Sequence, residues 1–390
     1  MPKPRHEVAD VLRLYGDAFL KERPQSKRVR SIINLLKICR TSALGGHLDY
    51  CPKCDWKKPS YNSCRNRHCP KCQTMVKEKW IEQRQEELLP VPYFHCVFTL
   101  PHEFNPIILQ NKKVMLTLLF KAVNETLTGF AQHENWKLEG QPGFIAVLHT
   151  WAQNLTDHFH LHVIIPAGVV RDNEFIRSPR KDFLFPVPAL KSVFAAKYRD
   201  HVLKTFTNGK LKFHGEIKHL SEPPAFKRLL NSTKKKKWNI YLKRAFGGPE
   251  HVLEYLGRYT HRVAISNHRI KRIDNGKITF TVRDRKKDKT KCITLTAHEF
   301  IRRFLLHILP PRFMKIRFYG FLSHKNKKNA LAIIRNSLGA NPPAPPSDEN
   351  LVEKILRLTG KDITRCPKCN GLLNTRDLSE FELSRAPPKR

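Results

Sequence analysis

The period of the apolar positions changes several times along the chain. Between residues 7 and 40, "VADVLRLYGDAFL" and "RVRSIINLLKICR" set apolar residues three and four apart, which predicts helices. Residues 45–75 lose that period and are rich in Gly, Cys, Pro, Asn and Arg, the composition of a small module held by metal rather than by an apolar core. "MVKEKWIEQRQEELLPV" regains a helical pattern that stops at Pro90 and Pro92. Four short β-branched and aromatic runs, "YFHCVFTLP", "GFIAVLHTWAQ", "HFHLHVIIPAGVV" and "WNIYLKRAF", predict strands. "VMLTLLFKAVNETLTGFAQH" predicts a helix between the first two, and "EHVLEYLGRYTHRVA" another after the turn "GGPE". "RIKRIDNGKITFTVRD" predicts a hairpin about Asp274-Asn275-Gly276. "TAHEFIRRFLLHIL" predicts a helix with Thr296 and Glu299 in a capping box.

Strands interleaved with helices give an α+β catalytic domain, set at residues 93–310. A helical and cysteine-rich domain precedes it at 1–92. A basic extension at 311–340, a Pro-rich linker at 341–347 and a tail at 348–390 with a last Cys-Pro-Lys-Cys follow it.

Charge narrows the class of partner. The 390 residues hold 72 Lys and Arg against 34 Asp and Glu, a net charge of +38, while 40% hydrophobic residues supply a core. Such a field attracts polyanions, nucleic acid first. A membrane-surface protein would carry a long basic amphipathic helix, and none stands out. No apolar run approaches the ~20 residues that span a bilayer. No signal-type apolar core opens the chain, so a cytoplasmic protein is expected.

Six of the ten cysteines sit in Cys-x-x-Cys pairs, metal-binding spacing rather than a disulfide framework. Cys51, Cys54, Cys69 and Cys72 are expected to hold one structural Zn²⁺ in four thiolates. Cys64 and His68 lie between the two pairs as additional ligand candidates, with His47 a further one. Arg65 and Arg67 are placed to meet phosphate. The last pair, Cys366 and Cys369, is half a site. It is open between completion by His324 or another domain and no ligand at all, and Asn370 stands where glycine commonly closes a zinc knuckle.

In "DHFHLHVIIPAG", His158, His160 and His162 alternate with Phe159, Leu161 and Val163. Residues two apart on a strand share a face about 7 Å apart, so one ion can take His158 with His160 or His160 with His162, but not all three. His149, Gln153 and Asp157 precede the strand as further ligand candidates. A mixed N/O set is compatible with Mn²⁺, Mg²⁺ or Zn²⁺. The competing reading is a solvated polar strand face. Tyr255 and Tyr259, four apart, share a helix face. They are flanked by Arg258, His261 and Arg262, and a phenolate can act as a covalent nucleophile.

A histidine strand followed by a tyrosine helix resembles the HUH endonucleases. The nearer resemblance is to the two-tyrosine transposases of rolling-circle bacterial insertion sequences, insertion sequence family ninety-one. It covers most of the chain, through "RTSALGGHLDYC", "SYNSCRNRHCPKCQ", "LLPVPYFHCVFTLP", "AVLHTWAQNLTDHFHLHVIIPAG", "FGGPEHVLEYLGRYTHRVAISNHRI" and "EFIRRFLLHILPPRFMKIRFYGFL". The resemblance implies a ferredoxin-like catalytic sheet. It implies Mg²⁺ or Mn²⁺ on His160 and His162, with Gln153 as third ligand. It implies cleavage of single-stranded DNA by Tyr255 and Tyr259 through a 5′-phosphotyrosine, in a bacterial cytoplasmic protein that joins the nucleoid when bound. DNA contacts are expected from Arg65, Arg67, Lys243, Arg258 and Arg262, with the runs Lys234–Lys237 and Arg283–Lys289. A non-catalytic zinc regulator and a plasmid-type nickase are the rival readings.

Overall fold

A computed structural model describes residues 4–180, 184–236, 238–244, 251–252, 257, 260, 263–284, 288–341 and 349–378. The chain divides into two compact units, Met1–Met75 with Ile265–Arg302 and Pro345–Arg390, and Val76–Ala264 with Arg303–Ala344. The hairpin at 265–302 and the described tail residues 349–378 belong to the first of these units. Most of the Pro-rich linker falls outside the described residues.

The first unit opens with α1 (Val8–Glu22) and α2 (Lys27–Lys37), which bury Val8, Val11, Leu12 and Phe19, and Ile32, Ile33 and Leu36, at helical spacing. Glu7 and Asp10 close a reciprocal capping box at the start of α1. Then β1 (Gly46–Tyr50) and β2 (Lys57–Tyr61) form an unpredicted hairpin, and β13 (Asn374–Asp377) pairs on the other edge of β1. The expected hairpin is present as β9 (Ile270–Asp274) and β10 (Lys277–Asp284), with β11 (Lys289–Thr296) beside it. Its turn puts Asn275 at φ +45° and Gly276 at φ +70°, the left-handed pair that a two-residue hairpin loop needs. Glu299 N–H donates to Thr296 Oγ1 at 3.3 Å as α8 (Ala297–Leu306) begins.

The second unit carries α3 (Gln73–Gln85) from Val76 onward, then β3 (Tyr93–Thr99), α4 (Asn105–Gln110), α5 (Lys112–Gln132), β4 (Gln141–Trp151) and β5 (Asp157–Pro166). β6 (Gly168–Arg171), β7 (Glu174–Arg177), α6 (Val187–Thr207), α7 (Pro223–Lys234), β8 (Asn239–Arg244), β12 (Ile316–Gly320) and α9 (Lys327–Ser337) follow. The central strands lie in the order β4-β5-β3-β8, every neighbour antiparallel. With α5 after β3 and α6 before β8, this is the βαββαβ arrangement of a ferredoxin-like fold, the α+β class expected.

The sheet has two chemically different faces. Phe94, Cys96 and Phe98 of β3, Phe144, Ala146 and Leu148 of β4, and Phe159, Leu161 and Val163 of β5 pack with Leu119, Phe120, Phe194 and Tyr198 of α5 and α6. The opposite face holds Ile145, Val147 and Ile164 with Phe321, Leu331 and Ile334, and beyond them the histidines. Period-two alternation decides which residue goes where.

Leu161, between His160 and His162, is fully buried. Leu161→Ala should lower unfolding free energy by about 2–5 kcal/mol. Met314→Ala, at an exposed position, should stay within about 0.5 kcal/mol. Denaturant unfolding of both variants checks this.

Candidate metal centres and nucleic-acid face

Register, not sequence proximity, assembles the histidines. β4 and β5 pair antiparallel with His149 opposite His160 and Val147 opposite His162, so all three imidazoles share the face away from α5 and α6. His149, His160 and His162 are 4%, 8% and 6% exposed, and one ring nitrogen of each lies within 4.8 Å of the others. Buried imidazoles gathered this closely on one face are poorly explained by a solvated strand surface.

Neighbouring groups fix the rings. His160 Nδ1 is 2.9 Å from the His158 carbonyl, which accepts its proton and sets the ring's orientation. That carbonyl is the defined contribution of His158. His162 Nδ1 is 2.9 Å from His95 Nε2 on β3. Burial holds the His95 pKa down to about 4, so His95 is neutral and can accept from His162 Nδ1–H. His95 was not singled out from sequence. Its position in "YFHCVFTLP" has the right period, but only the β3–β5 pairing places it here.

The expected third ligand, Gln153, lies beyond β4 in the 152–156 turn, whereas His149 is within the strand and opposite His160. The turn is held by His307, whose Nε2 meets the Leu155 carbonyl at 3.1 Å while Nδ1 meets Thr150 Oγ1 at 3.2 Å. Burial, with the Lys112 ammonium nearby, lowers the His307 pKa to about 4.

Tyr255, Tyr259, Arg258 and Arg262 lie outside the described residues. Around them, Val252 is buried in the apolar cluster that contains Val147, the β4 partner of His162. Gly257 sits so near α3 that an added Cβ would collide with Ile81, and Thr260 is fully buried. Lys243 of β8 faces His95 across the β3–β8 ladder, and Tyr241 faces Val97. Tyr241 is 51% exposed with its ring 6.0 Å from that of His95. Elsewhere the basic runs are partly neutralised: Lys236 pairs with Glu103, Arg283 with Asp288 and Lys291 with Asp284. Lys237 and 285–287 are outside the described residues.

The cysteines form two tetrads, not the single expected one. Cys39, Cys64, Cys69 and Cys72 gather in one, and Cys51, Cys54, Cys366 and Cys369 in the other. The reason is the hairpin. Cys51 and Cys54 occupy its tip, between β1 and β2, while Cys39 and Cys64 flank its open end. Strands of five residues set the two ends ~16 Å apart, too far for a common ion. Cys64 joins Cys69 and Cys72 as a candidate, Cys39 was missed because it stands outside any Cys-x-x-Cys pair, and His68 is not among the four.

Sulfur separations in the first tetrad are 3.5 Å for Cys39–Cys72 and Cys39–Cys69, and 3.7 Å for Cys64–Cys72. Tetrahedral zinc with ~2.3 Å bonds puts sulfurs ~3.8 Å apart, so these residues fit that ion. Hydrogen bonds from Cys39 and Cys69 hold the Cys72 thiol far below its usual range, while the same contacts push Cys69 up. Lys71 braces the module by donating to Glu7 at 2.7 Å and to the Cys39 carbonyl at 2.9 Å. Arg65, at φ +51°, is exposed next to Cys64. Burial, with Arg28 nearby, lowers the pKa of Arg67. Cys96 is in the core of the second unit and Cys292 is exposed on β11.

Residues 143–330 match a family described as "Putative transposase", and residues 11–100 match one described as "Transposase zinc-binding domain". The chain is 41% identical to a protein of Sinorhizobium fredii named "Putative transposase", over 100% of this chain and 99% of that one. It is 26% identical to the transposase for an insertion sequence element of Pseudomonas savastanoi pv. phaseolicola, over 85% of this chain and 80% of the relative. No solved structure matches. No described helix is long and apolar enough to cross a membrane.

His307 gives a pH dependence with a defined sign. Its folded pKa of about 4 lies below the ordinary 6.5, so between these values the unfolded chain binds more protons. Stability should therefore fall as pH drops from about 6.5 toward 4, by up to ~3 kcal/mol from this residue. His307→Gln should flatten that part of the stability–pH curve relative to wild type, measured by urea unfolding at intervals across the window.

Proposed function

The chain belongs to the insertion sequence ninety-one family of transposases, with that family's N-terminal zinc-binding domain, and from that premise we propose that it binds, nicks and rejoins single-stranded DNA at element ends through a phosphotyrosine. The observation that carries this reading is the buried group of His149, His160 and His162 on one sheet face. A transposase that only bound DNA would have no use for three buried imidazoles so close together.

In this reading His149, His160 and His162 would hold a divalent ion, which would supply Lewis-acid polarisation of the scissile phosphate. An all-imidazole set suits a transition metal better than Mg²⁺, so of the two ions that the resemblance implies Mn²⁺ is the better match. His158, through its carbonyl, and His95 orient two of the rings. Tyr255 or Tyr259 attacks phosphorus: a tyrosine oxygen–phosphorus bond forms, the bond to the 3′-oxygen breaks, and that oxygen takes up a proton as a free 3′-hydroxyl. Attack by that hydroxyl, or by the second tyrosine at another strand, conserves the phosphodiester and needs no external energy source. The burial of Val252 in the same apolar cluster as Val147 supports an approach of the tyrosine segment to this face.

The charge of +38 supports a strand held by its phosphates. Arg65 and Arg67 on the cysteine module, Lys243 on β8, and Arg258 and Arg262 beside the tyrosines are the proposed cations. Exposed Tyr241 offers a stacking surface for a base. Cys39, Cys64, Cys69 and Cys72 carry the structural zinc of the N-terminal domain.

Two experiments test this. Labelled single-stranded oligonucleotides from the element's ends, incubated with Mn²⁺ or Mg²⁺, should give a covalent adduct that Tyr255→Phe with Tyr259→Phe abolishes. Binding without adduct on every end sequence would instead make the protein a zinc-containing DNA-binding regulator. For the ligands, His149→Ala should weaken Mn²⁺ binding by more than about 100-fold, beyond the usual cost of losing an outer-shell partner. Gln153→Ala should change it only a few-fold in the same titration. The reverse ranking would return the third position to Gln153.

A further inference from the structure

Cys51, Cys54, Cys366 and Cys369 make a second tetrad, and half of it lies beyond residues 11–100, the stretch that matches the zinc-binding domain. We propose that this tetrad is a separate zinc site, a clasp that fastens the C-terminal tail to the tip of the β1–β2 hairpin.

The geometry fits one tetrahedral ion. Cys51 Sγ is 3.4 Å from Cys369 Sγ and Cys54 Sγ is 3.5 Å from Cys366 Sγ, near the ~3.8 Å edge of a zinc tetrathiolate and far from the ~2.0 Å of a disulfide. The two halves are matched knuckles with the same Cys-Pro-Lys-Cys sequence. Asp55 follows one at φ +51° and Asn370 follows the other at φ +60°. These are the left-handed positions that glycine commonly fills, and Asp and Asn tolerate them best among other residues. Asn370 therefore closes the knuckle rather than spoiling it. Cys51 N–H donates to the Trp56 carbonyl and Cys366 N–H to the Gly371 carbonyl, so each knuckle is tied across its own base. The Lys368 N–H points at Cys366 Sγ at 3.4 Å, a donor suited to a thiolate. An added Cβ at Gly371 would stand 3.4 Å from Cys369 Sγ and 3.5 Å from Cys51 Sγ, which shows how closely the chain passes the tetrad.

The tail has little else to hold it. All four residues of β13 are exposed, although they pair along β1 from His47 with Asp377 to Tyr50 with Asn374. The tail helix, α10 (Leu351–Thr359), buries none of its residues, and Leu351, Leu356, Ile363 and Leu372 are exposed. A short strand without a buried face does not stay paired by itself. Small modules lacking a core depend on a staple, and the four thiols are positioned to be one.

Two measurements on the full-length zinc-loaded protein test the clasp. In N-ethylmaleimide labelling read out per cysteine by peptide mass spectrometry, Cys292 and Cys369 are both exposed thiols. If zinc holds Cys369, it should react at least about tenfold more slowly than Cys292. Adding a chelator should then release Cys51, Cys54, Cys366 and Cys369 to the reagent together. In cobalt-substituted protein, Cys366→Ser with Cys369→Ser should halve the tetrathiolate charge-transfer absorption, and Cys39→Ser with Cys64→Ser should remove the other half. Cys369 reacting as fast as Cys292 in zinc-loaded protein, or full cobalt absorption in the first double variant, overturns the proposal. Labelling uses the native chain, so it decides the matter even if a variant fails to fold.

Discussion

The catalytic unit depends on one register: His149 stands opposite His160 across the β4–β5 ladder. A slip of one residue would turn His149 toward α5 and α6 and put Leu148, now in the core, in its place. The same ladder holds Phe144, Ala146 and Leu148 on the helix side, so the burial that stabilises the sheet also fixes which side chains converge on the far face. β3 adds His95 to that face by the same rule. The apolar core is thus the positioning device for a polar group of four imidazoles, two of which take their ring orientation from neighbours in the same sheet.

The other unit solves a different problem. Around the β1–β2 hairpin there is little apolar surface to bury: β2 reads "KKPSY" and only Leu48 of β1 is buried. Eight of the ten cysteines gather instead at the two ends of this hairpin. Thiolate–metal bonds are directional and strong, so four sulfurs can define a local fold where apolar contacts cannot. That also explains why arginines such as Arg65 can sit against such a module. Its stability does not require the surface to be apolar.

Much of this was legible in the sequence where one local rule sufficed. The β-branched runs gave β3, β4 and β5, Asn275-Gly276 gave the hairpin turn, and His160-Leu161-His162 gave a shared face. What escaped needed two segments at once. His149 and His95 join His160 and His162 on one face only through strand register, and Cys51 parts from Cys69 only because β1 and β2 hold them at opposite ends. β1 and β2 escaped because they lack apolar alternation. Helix α6 was not among the predicted elements, although Leu190, Phe194, Tyr198 and Val202 recur every four residues along its buried ridge.

Both kinds of site share a construction: a local motif supplies two ligands and a separate stretch of chain supplies the rest. Chain-closure entropy makes that construction cheaper than it looks. The Cys39–Cys72 contact closes 33 residues and the Cys54–Cys366 contact closes 312. With a cost that grows as the logarithm of length, the longer closure is only about 2 kcal/mol worse. Structural zinc in small domains contributes on the order of 10 kcal/mol, so distance along the chain is no bar to the clasp. The asymmetry lies in what remains after a ligand is lost. The first tetrad is flanked by α2 and the Lys71–Glu7 pair, whereas β13 and α10 bury almost nothing. Metal on both tetrads would therefore reinforce structure at one end of the hairpin and create it at the other, which would make the C-terminal tail the part of this transposase whose order follows zinc supply.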